Sequence, residues 1–403
     1  MFSLRKSLGL VLLTLAAAAC GTDKPITAPT AAAAIRPAVF NAAATSPIWA
    51  STFTGTTGPG AEYALFVPEG WNGALVVYAH GYVMPTVAIQ LPDIDPLRDA
   101  LGANHFAVAY SSYSQNGFDV KDGAQRTHQL KGLFIARFGK PVRTYIMGHS
   151  LGGAITQMLA ETHPGDYDCA LPMCGFVGGS QSEVNYIANV RVLFDVFYPG
   201  VLPGTAMSVP NSLVFDGATI GALATAIGAN PMGAYVISQT QQTGVPIGAH
   251  MDELGASVIS ALGFQIFGTR DVLDRTHGHI PFDNATTVYS SDNPAVAPAL
   301  QYANAVATRF TATPDAAAYL QKYYEPDGRL SIPMITLHTT RDPIVPAWHE
   351  GIYAGRVHAA GRDGNLVQRS VDGFGHCTFS GLDQLRAFGD LVNWVEHGVV
   401  PAP

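Results

Sequence analysis

Charged side chains are scarce in this sequence, at 13% of 403 residues, and the formal net charge is −8 at neutral pH. The chain also lacks any cluster of lysines and arginines, which is the feature that draws a protein to nucleic acid. The composition therefore argues against a nucleic-acid partner. A low density of charge suits an extracellular or periplasmic protein.

Near the N-terminus the chain lacks a hydrophobic run long enough to span a membrane. The apolar run 8–19 is shorter than the roughly 20 residues that a spanning helix needs. It follows Arg5 and Lys6 and ends in small residues, so residues 1–20 are predicted to be a secretory signal peptide. Cys20 after those small residues resembles a lipobox, which predicts lipidation and attachment to a membrane in the cell envelope. Ordinary cleavage with free secretion is the alternative.

Residues 21–48 contain few large apolar side chains and are rich in alanine, threonine and proline. Such a segment cannot bury enough apolar surface to offset the entropy lost on ordering it. We therefore predict a flexible tether between the signal sequence and the folded part of the protein.

Cysteine is scarce as well, since the chain has only Cys169, Cys174 and Cys377 besides Cys20. Cys169 and Cys174 flank a predicted buried strand, which at about 3.3 Å per residue separates them too far for a disulfide. A disulfide would therefore use Cys377, with Cys174 at the C-terminal end of that strand as the favoured partner. Three unpaired buried cysteines are the alternative.

The most informative stretch is Gly148-His149-Ser150-Leu151-Gly152. A short apolar run precedes it and a helix-forming run follows, which is the strand, sharp turn and helix of a nucleophile elbow. Glycine at both flanking positions allows the strand and the helix to pack closely. Ser150 is therefore the predicted nucleophile, and the N–H group of Leu151 is a predicted oxyanion donor.

Short apolar runs alternate with helical patterns on both sides of this stretch. The run 74–79 is almost continuously apolar, which is typical of a strand buried on both faces of a mostly parallel sheet. An α/β class with a doubly wound sheet and right-handed crossovers follows from that alternation. The sheet, with the helices that flank it, is predicted to comprise residues 49–174 and 331–403.

The alternation of strand and helix stops between residues 175 and 330. Proline and glycine turns divide this segment into apolar helical stretches, which are 186–196, 218–227, 256–267 and 296–310. We interpret the segment as a large, mostly helical cap inserted before the strand that precedes the catalytic acid. An independent domain is the alternative.

A nucleophilic serine requires a neutral imidazole as base and a carboxylate that orients the imidazole. Asp342 and His376 each follow a predicted strand, and the C-terminal ends of parallel strands converge at one edge of a sheet. The chain order of serine, aspartate and histidine is also that of the elbow motif. His376 is the predicted base and Asp342 the predicted acid, with Asp372 as the alternative acid.

His80-Gly81 follows the first strand that is predicted to be buried. Glycine at this point permits a close backbone approach, so the N–H group of Tyr82 can point at an oxyanion. Tyr82 is therefore the second predicted oxyanion donor, contributing its backbone and not its side chain.

Other histidines have ordinary explanations. His338 lies in a predicted strand, and His349 and His358 lie in a predicted helix, where packing or solvent exposure accounts for them. His277 and His279 are one residue apart, but no pattern for a third metal ligand lies nearby. The sequence therefore predicts no metal site and no organic cofactor.

Together these motifs resemble the α/β-hydrolases of the lipase and esterase kind. The motifs are His80-Gly81, Gly148-His149-Ser150-Leu151-Gly152-Gly153, Arg341-Asp342-Pro343 and Gly375-His376. The resemblance covers about residues 46–398 apart from the cap. It implies an α/β-hydrolase fold and a serine hydrolase that cleaves a small-molecule carboxylic ester through an acyl-enzyme.

A histidine followed by cysteine is also similar to the tannase and feruloyl esterase group. In that group a second cysteine neighbours the serine, whereas His149 occupies the place here. The aromatic residues of the cap favour a hydrophobic or aromatic ester. A cap-type serine peptidase or aminopeptidase on the same fold is one alternative, and a non-catalytic binding protein that keeps the fold is another.

Overall fold

The computed structural model describes residue 41 and residues 46–247 and 250–403. The predicted signal peptide with Cys20 and most of the predicted tether lie outside the described residues. Their lipidation and cleavage therefore stay predictions.

The described part of the chain forms one eight-stranded sheet with the order β1-β2-β4-β3-β5-β6-β7-β8. Every pairing from β4 to β8 is parallel, whereas β1 and β2 add an antiparallel edge. The strands are β1 (Trp49–Thr57), β2 (Ala61–Pro68), β3 (Ala74–Ala79), β4 (Ala107–Ser111), β5 (Arg143–His149), β6 (Cys169–Met173), β7 (Met334–Arg341) and β8 (Leu366–Phe374). The mostly parallel sheet predicted from the apolar runs is confirmed.

Helices cover both faces of this sheet. They are α1 (Asp95–Ala103), α2 (Val120–Phe138), α3 (Leu151–Thr162), α10 (Trp348–Ala359) and α11 (Gly381–His397). Within β3, Leu75 and Val77 pack into the apolar core on the α2 and α3 side, while Val76 and Tyr78 pack into the core on the α1 and α11 side. Successive strand residues point to opposite faces, so a strand that is apolar throughout requires both faces to be covered.

The segment between β6 and β7 is mostly helical, as predicted. Its helices are α4 (Ser180–Phe197), α5 (Gly217–Ala229), α6 (Pro231–Gln239), α7 (Leu254–Arg275), α8 (Ala297–Val306) and α9 (Pro314–Lys322). Apolar residues of α4 and α7 belong to the same buried cluster as those of α2 and α3. The cap therefore packs on the sheet domain through a continuous apolar core.

Among the described residues, no single helix combines the length and the apolar character needed to cross a bilayer. Helices α5 and α6, which meet at a bend of 93°, meet the criterion only as a pair, on length and composition alone.

Candidate active site

Ser150 lies at the turn between β5 and α3, with φ of 55° and ψ of −121°. A positive φ is strained for any residue with a side chain, and such strain is typical of functional positions. A Cβ atom on Gly148 would lie 2.5 Å from the carbonyl oxygen of Ala79, and one on Gly152 would collide with the same carbonyl. The turn can form because both flanking residues are glycine.

Ser150, His376 and Asp342 form one hydrogen-bonded line. The His376 Nε2 atom lies 2.7 Å from Ser150 Oγ, and His376 Nδ1 lies 2.6 Å from Asp342 Oδ2. An ionised carboxylate only accepts hydrogen bonds, so the His376 proton lies on Nδ1 and Nε2 is free to accept from the Ser150 hydroxyl. The predicted nucleophile, base and acid are therefore brought together in the order that the chemistry requires.

Asp342 is held by its own turn. Its Oδ1 atom accepts hydrogen bonds from the backbone N–H groups of Ile344 at 2.9 Å and Val345 at 3.0 Å. The carboxylate is completely buried. These two bonds fix the rotamer of Asp342 and leave Oδ2 directed at His376.

The alternative acid, Asp372, lies at the exposed C-terminal end of β8. Its side chain is 82% exposed and forms an ion pair with Arg341 at 2.5 Å, and it also accepts a hydrogen bond from the Thr340 hydroxyl at 3.1 Å. Arg341 also binds Glu253 of the cap at 2.8 Å. Asp372 thus serves a surface network that ties the cap to the end of β7, and Asp342 is the carboxylate that contacts His376.

The loop that carries His376 is attached to the sheet by a disulfide. Cys377 is bonded to Cys174, with Cα atoms 5.4 Å apart, and Cys169 is buried as a free thiol. Cys174 follows β6 directly, and its N–H group donates to the carbonyl of Leu337 in β7 at 2.8 Å. The pairing of Cys174 with Cys377 is the one favoured from the sequence, and the structure does not contain the alternative of three unpaired cysteines.

Cys174, Cys377 and His376 also form the one group in the described residues whose ligand atoms lie close enough for a metal ion. Metal ligation by cysteine requires a thiolate. The two sulfur atoms are bonded to each other, so this donor set does not fit a metal.

The backbone around Gly81 lies against the nucleophile. A Cβ atom on Gly81 would be 3.3 Å from both the carbonyl oxygen of His149 and the Cβ atom of Ser150. Leu151 is the first residue of α3, so its N–H group belongs to the unpaired donors at that helix N-terminus. Both predicted oxyanion donors, Tyr82 and Leu151, therefore belong to backbone segments that flank Ser150.

The side chain of His80 restrains the peptide that contains the Tyr82 N–H group. Its Nδ1 atom donates to the carbonyl oxygen of Gly81 at 2.7 Å, and its ring stacks on Tyr113 with centroids 3.7 Å apart. In a trans peptide the N–H group points opposite to the carbonyl group. His80 therefore orients the Tyr82 N–H group by holding the other end of the same peptide plane. Tyr113 was not identified from the sequence, because nothing in the pattern marks it.

His149 neighbours the nucleophile but has the properties of a neutral support. The Tyr78 hydroxyl lies 3.0 Å from its Nδ1 atom, and its ring stacks on Phe379 with centroids 5.8 Å apart. Burial lowers the pKa of His149 to about 4. The imidazole is therefore neutral at physiological pH and packs between the sheet and the loop before α11.

Aromatic rings of the cap lie beside the side chain of Tyr82, whose backbone N–H group is a predicted oxyanion donor. The Tyr82 ring lies 6.0 Å from that of Phe264 and 5.5 Å from that of Phe267, both on α7. A large groove of about 1220 Å³ lies between the N-terminus of α2 and the cap helices α7 and α9, and Asp271 and Arg275 are among its lining residues. No member of the triad lines this groove. Burial raises the pKa of the Tyr82 hydroxyl; the charge of Asp271 raises it further, and that of Arg275 lowers it.

Solved structures share this architecture. An esterase from Aspergillus oryzae matches with a TM-score of 0.54 and 15% sequence identity, over 87% of this chain and 80% of that chain. Feruloyl esterase B from Aspergillus oryzae matches with a TM-score of 0.51 and 14% identity, over 87% of this chain and 81% of that chain. No family model and no curated protein sequence matches the chain. The sheet order and these similarities show that the chain has the α/β-hydrolase fold.

Proposed function

We propose that this protein is a serine hydrolase that cleaves carboxylic esters through an acyl-enzyme. The observation that carries the proposal is the line of hydrogen bonds from Ser150 through His376 to the buried Asp342. A strained serine at a strand-to-helix turn, a base within 2.7 Å and a carboxylate that orients the base are the parts that acyl transfer needs.

The reaction begins when Ser150 Oγ attacks the carbonyl carbon of the ester while its proton passes to His376 Nε2. The imidazolium that forms is stabilised by the Asp342 carboxylate at Nδ1. As the tetrahedral intermediate collapses, the carbon–oxygen bond to the alcohol breaks and Nε2 returns the proton to the leaving oxygen. Water then attacks the acyl-enzyme by the same proton transfers and releases the acid.

The oxyanion of each tetrahedral intermediate is proposed to bind the N–H groups of Tyr82 and Leu151. One comes from the loop after β3 and the other from the first turn of α3, where the helix dipole also favours negative charge. His80 then affects the reaction only by orienting the peptide between Gly81 and Tyr82.

The proposed substrate is an ester with a hydrophobic or aromatic group. Support comes from the aromatic rings of Tyr82, Phe264 and Phe267, which lie beside the proposed oxyanion donors. Both compared structures are named as esterases, and one of them as a feruloyl esterase. The groove that Asp271 and Arg275 help to line is proposed to bind a polar part of the same molecule.

A fluorophosphonate probe tests the proposed nucleophile. The probe is expected to label the wild-type protein covalently and to leave the Ser150→Ala variant unlabelled, because the phosphonate requires an activated serine. Hydrolysis of p-nitrophenyl esters without hydrolysis of aminoacyl p-nitroanilides would place the enzyme among esterases. The reverse pattern would identify a peptidase, and an unlabelled wild-type protein that hydrolyses neither would favour a binding protein.

We also propose that the protein is exported and attached to a membrane through a lipidated Cys20. The support is the sequence pattern of residues 1–20 and the tether-like segment that follows. Mass spectrometry of the mature N-terminal peptide is expected to show a cleaved chain that begins with an acylated cysteine. An unmodified N-terminus and release into the medium would instead indicate free secretion.

A further inference from the structure

A second histidine lies behind the triad carboxylate. His338 is on β7, is completely buried, and places its Nε2 atom 3.7 Å from Asp342 Oδ2. The same carboxylate oxygen accepts the 2.6 Å hydrogen bond from His376. The triad carboxylate therefore lies between two imidazole rings, although the sequence pattern assigned His338 to ordinary packing in a strand.

The contacts of the His338 ring place a proton on Nε2 and set Nδ1 opposite a carboxyl group. Its Nε2 atom is 2.8 Å from the carbonyl oxygen of Val345, which can only accept, so Nε2 carries a hydrogen. Its Nδ1 atom is 3.1 Å from the Oε1 atom of Glu350 on α10. The state of the ring therefore depends on whether Glu350 is ionised.

Glu350 has the surroundings of a carboxylate. Its Oε2 atom accepts hydrogen bonds from the Thr336 hydroxyl at 2.5 Å and from Gln368 Nε2 at 2.6 Å. The Gln368 amide nitrogen also donates to the backbone carbonyl of Glu350 at 2.8 Å, which determines the orientation of the amide. A glutamate ordinarily has a pKa about two units below that of histidine. The proton shared by Glu350 and His338 therefore belongs on the imidazole.

We propose that His338 is a constitutive imidazolium that keeps Asp342 ionised and correctly positioned, and so is a positioning residue for the triad. The inference deepens the proposed hydrolase function and rests on it for its catalytic consequence. The charge state of the ring is independent of that function and can be measured separately.

The electrostatic balance around the ring agrees with this assignment. Burial lowers the pKa of His338, but the hydrogen bond and charge of Glu350 and the charge of Asp342 outweigh it, so the pKa is raised overall. The nearby pair of Glu183 and His349 is fully buried, with His349 Nε2 3.0 Å from Glu183 Oε2. Burial raises the pKa of Glu183 and lowers that of His349, and both shifts favour the neutral form of the group.

A cation at this position has a defined effect on the reaction. A carboxylate buried without compensating charge takes up a proton more readily. The His338 imidazolium supplies that compensating charge to Asp342, so the proton taken from Ser150 stays on His376. Because both rings approach Asp342 Oδ2, the same positive charge also repels a proton on the His376 ring, and its loss favours the protonated ring.

Long-range ¹H–¹⁵N NMR on the full chain labelled with ¹⁵N-histidine reads the charge state directly. At pH 8, where a free imidazole is neutral, His338 is expected to show two protonated ring nitrogens, with the signal assigned by its loss in His338→Gln. A neutral tautomer at that pH would overturn the proposal. Because this measurement needs no turnover, a wild-type protein without hydrolase activity would refute the proposed function and leave this result intact.

The kinetic consequence is tested by the pH dependence of kcat/KM. In His338→Gln the acidic limb of the profile is expected to move to higher pH by roughly half a unit to one unit, since a nearby positive charge is lost. His358→Ala is the control, because it removes an exposed imidazole from the same helix as Glu350 and should leave the limb in place. An unmoved limb in His338→Gln, or an equal shift in both variants, would contradict the assignment.

A second variant covers the case in which His338→Gln does not fold. Glu350→Gln keeps the side-chain volume but removes the carboxylate that holds the proton on His338 Nδ1. The His338 ring is then expected to be neutral at pH 8, and the acidic limb should move in the same direction as in His338→Gln. A ring that stays doubly protonated in Glu350→Gln would overturn the role given to Glu350 and with it the proposal.

Discussion

Replacement of His376 by alanine is expected to lower kcat for ester hydrolysis by roughly 10⁴- to 10⁶-fold, the range seen when the base of a serine triad is removed. His376 Nε2 lies 2.7 Å from Ser150 Oγ and is therefore placed to accept the serine proton. Initial rates over a range of p-nitrophenyl ester concentrations give kcat and KM for each protein. KM should change little, because the imidazole acts on the transition state and not on bound substrate.

His358→Ala is the matched control for this variant. His358 is 81% exposed on α10 and pairs with Asp363, away from the triad. We expect its kcat to stay within about threefold of the wild type, as for surface substitutions in general. A comparable loss in both variants, or a His376→Ala variant that keeps most of its activity, would remove His376 from the mechanism.

Replacement of Asp342 by asparagine is expected to lower kcat by roughly 10⁴-fold with the fold intact. The asparagine Oδ1 atom can still accept from the N–H groups of Ile344 and Val345, so its amide nitrogen faces His376. His376 Nδ1 then becomes an acceptor and its proton moves to Nε2. A protonated Nε2 cannot take the proton of Ser150, and the loss follows from that tautomer.

The same change at Asp372 separates the two candidate acids. Asp372→Asn alters an exposed ion pair with Arg341, and exposed ion pairs contribute about 1 kcal/mol or less. Its kcat should therefore remain close to that of the wild type, while the unfolding midpoint of both variants in denaturant verifies that each is folded. A large loss of activity in Asp372→Asn with little loss in Asp342→Asn would reverse the assignment.

The parts of the fold that were predictable are those with a local signal. Strand β3 is apolar throughout and β5 has a buried apolar centre, and only a sheet covered on both faces accommodates such runs. The elbow was predictable for the same reason, because a strand, a glycine-flanked serine and a helix are contiguous in the chain. The helical nature of the cap also follows from local periodicity.

Elements with a weak or ambiguous signal were missed. The edge strand β1 alternates between partly buried and exposed residues and contains no apolar run, so it was not predicted. Helices α6 and α9 begin at Pro231 and Pro314, whereas the sequence pattern assigns the prolines of the cap to turns between helices. Proline is favoured at the first position of a helix, because its missing N–H group has no partner there in any case.

The disulfide illustrates a partial prediction. Spacing along a strand was enough to rule out a bond between Cys169 and Cys174. Whether Cys377 reaches Cys174 depends on how the loop after β8 folds back over the ends of β6 and β7. No local sequence pattern indicates the path of that loop. The sequence therefore left open whether Cys377 forms a disulfide or all three cysteines are unpaired.

By itself, the sequence determined the class of the fold, the order of its buried strands and its helical cap, and Ser150 and His376 as the proposed nucleophile and base. These depend on short-range patterns, which are apolar runs, glycines at a sharp turn and polar residues just past strand ends. Only the tertiary structure decided which aspartate contacts His376, how His80 holds the Tyr82 peptide, and that His338 lies against Asp342. Such properties depend on distances and on burial between residues far apart in the chain, and a carboxylate or an imidazole acquires its chemical role from those neighbours.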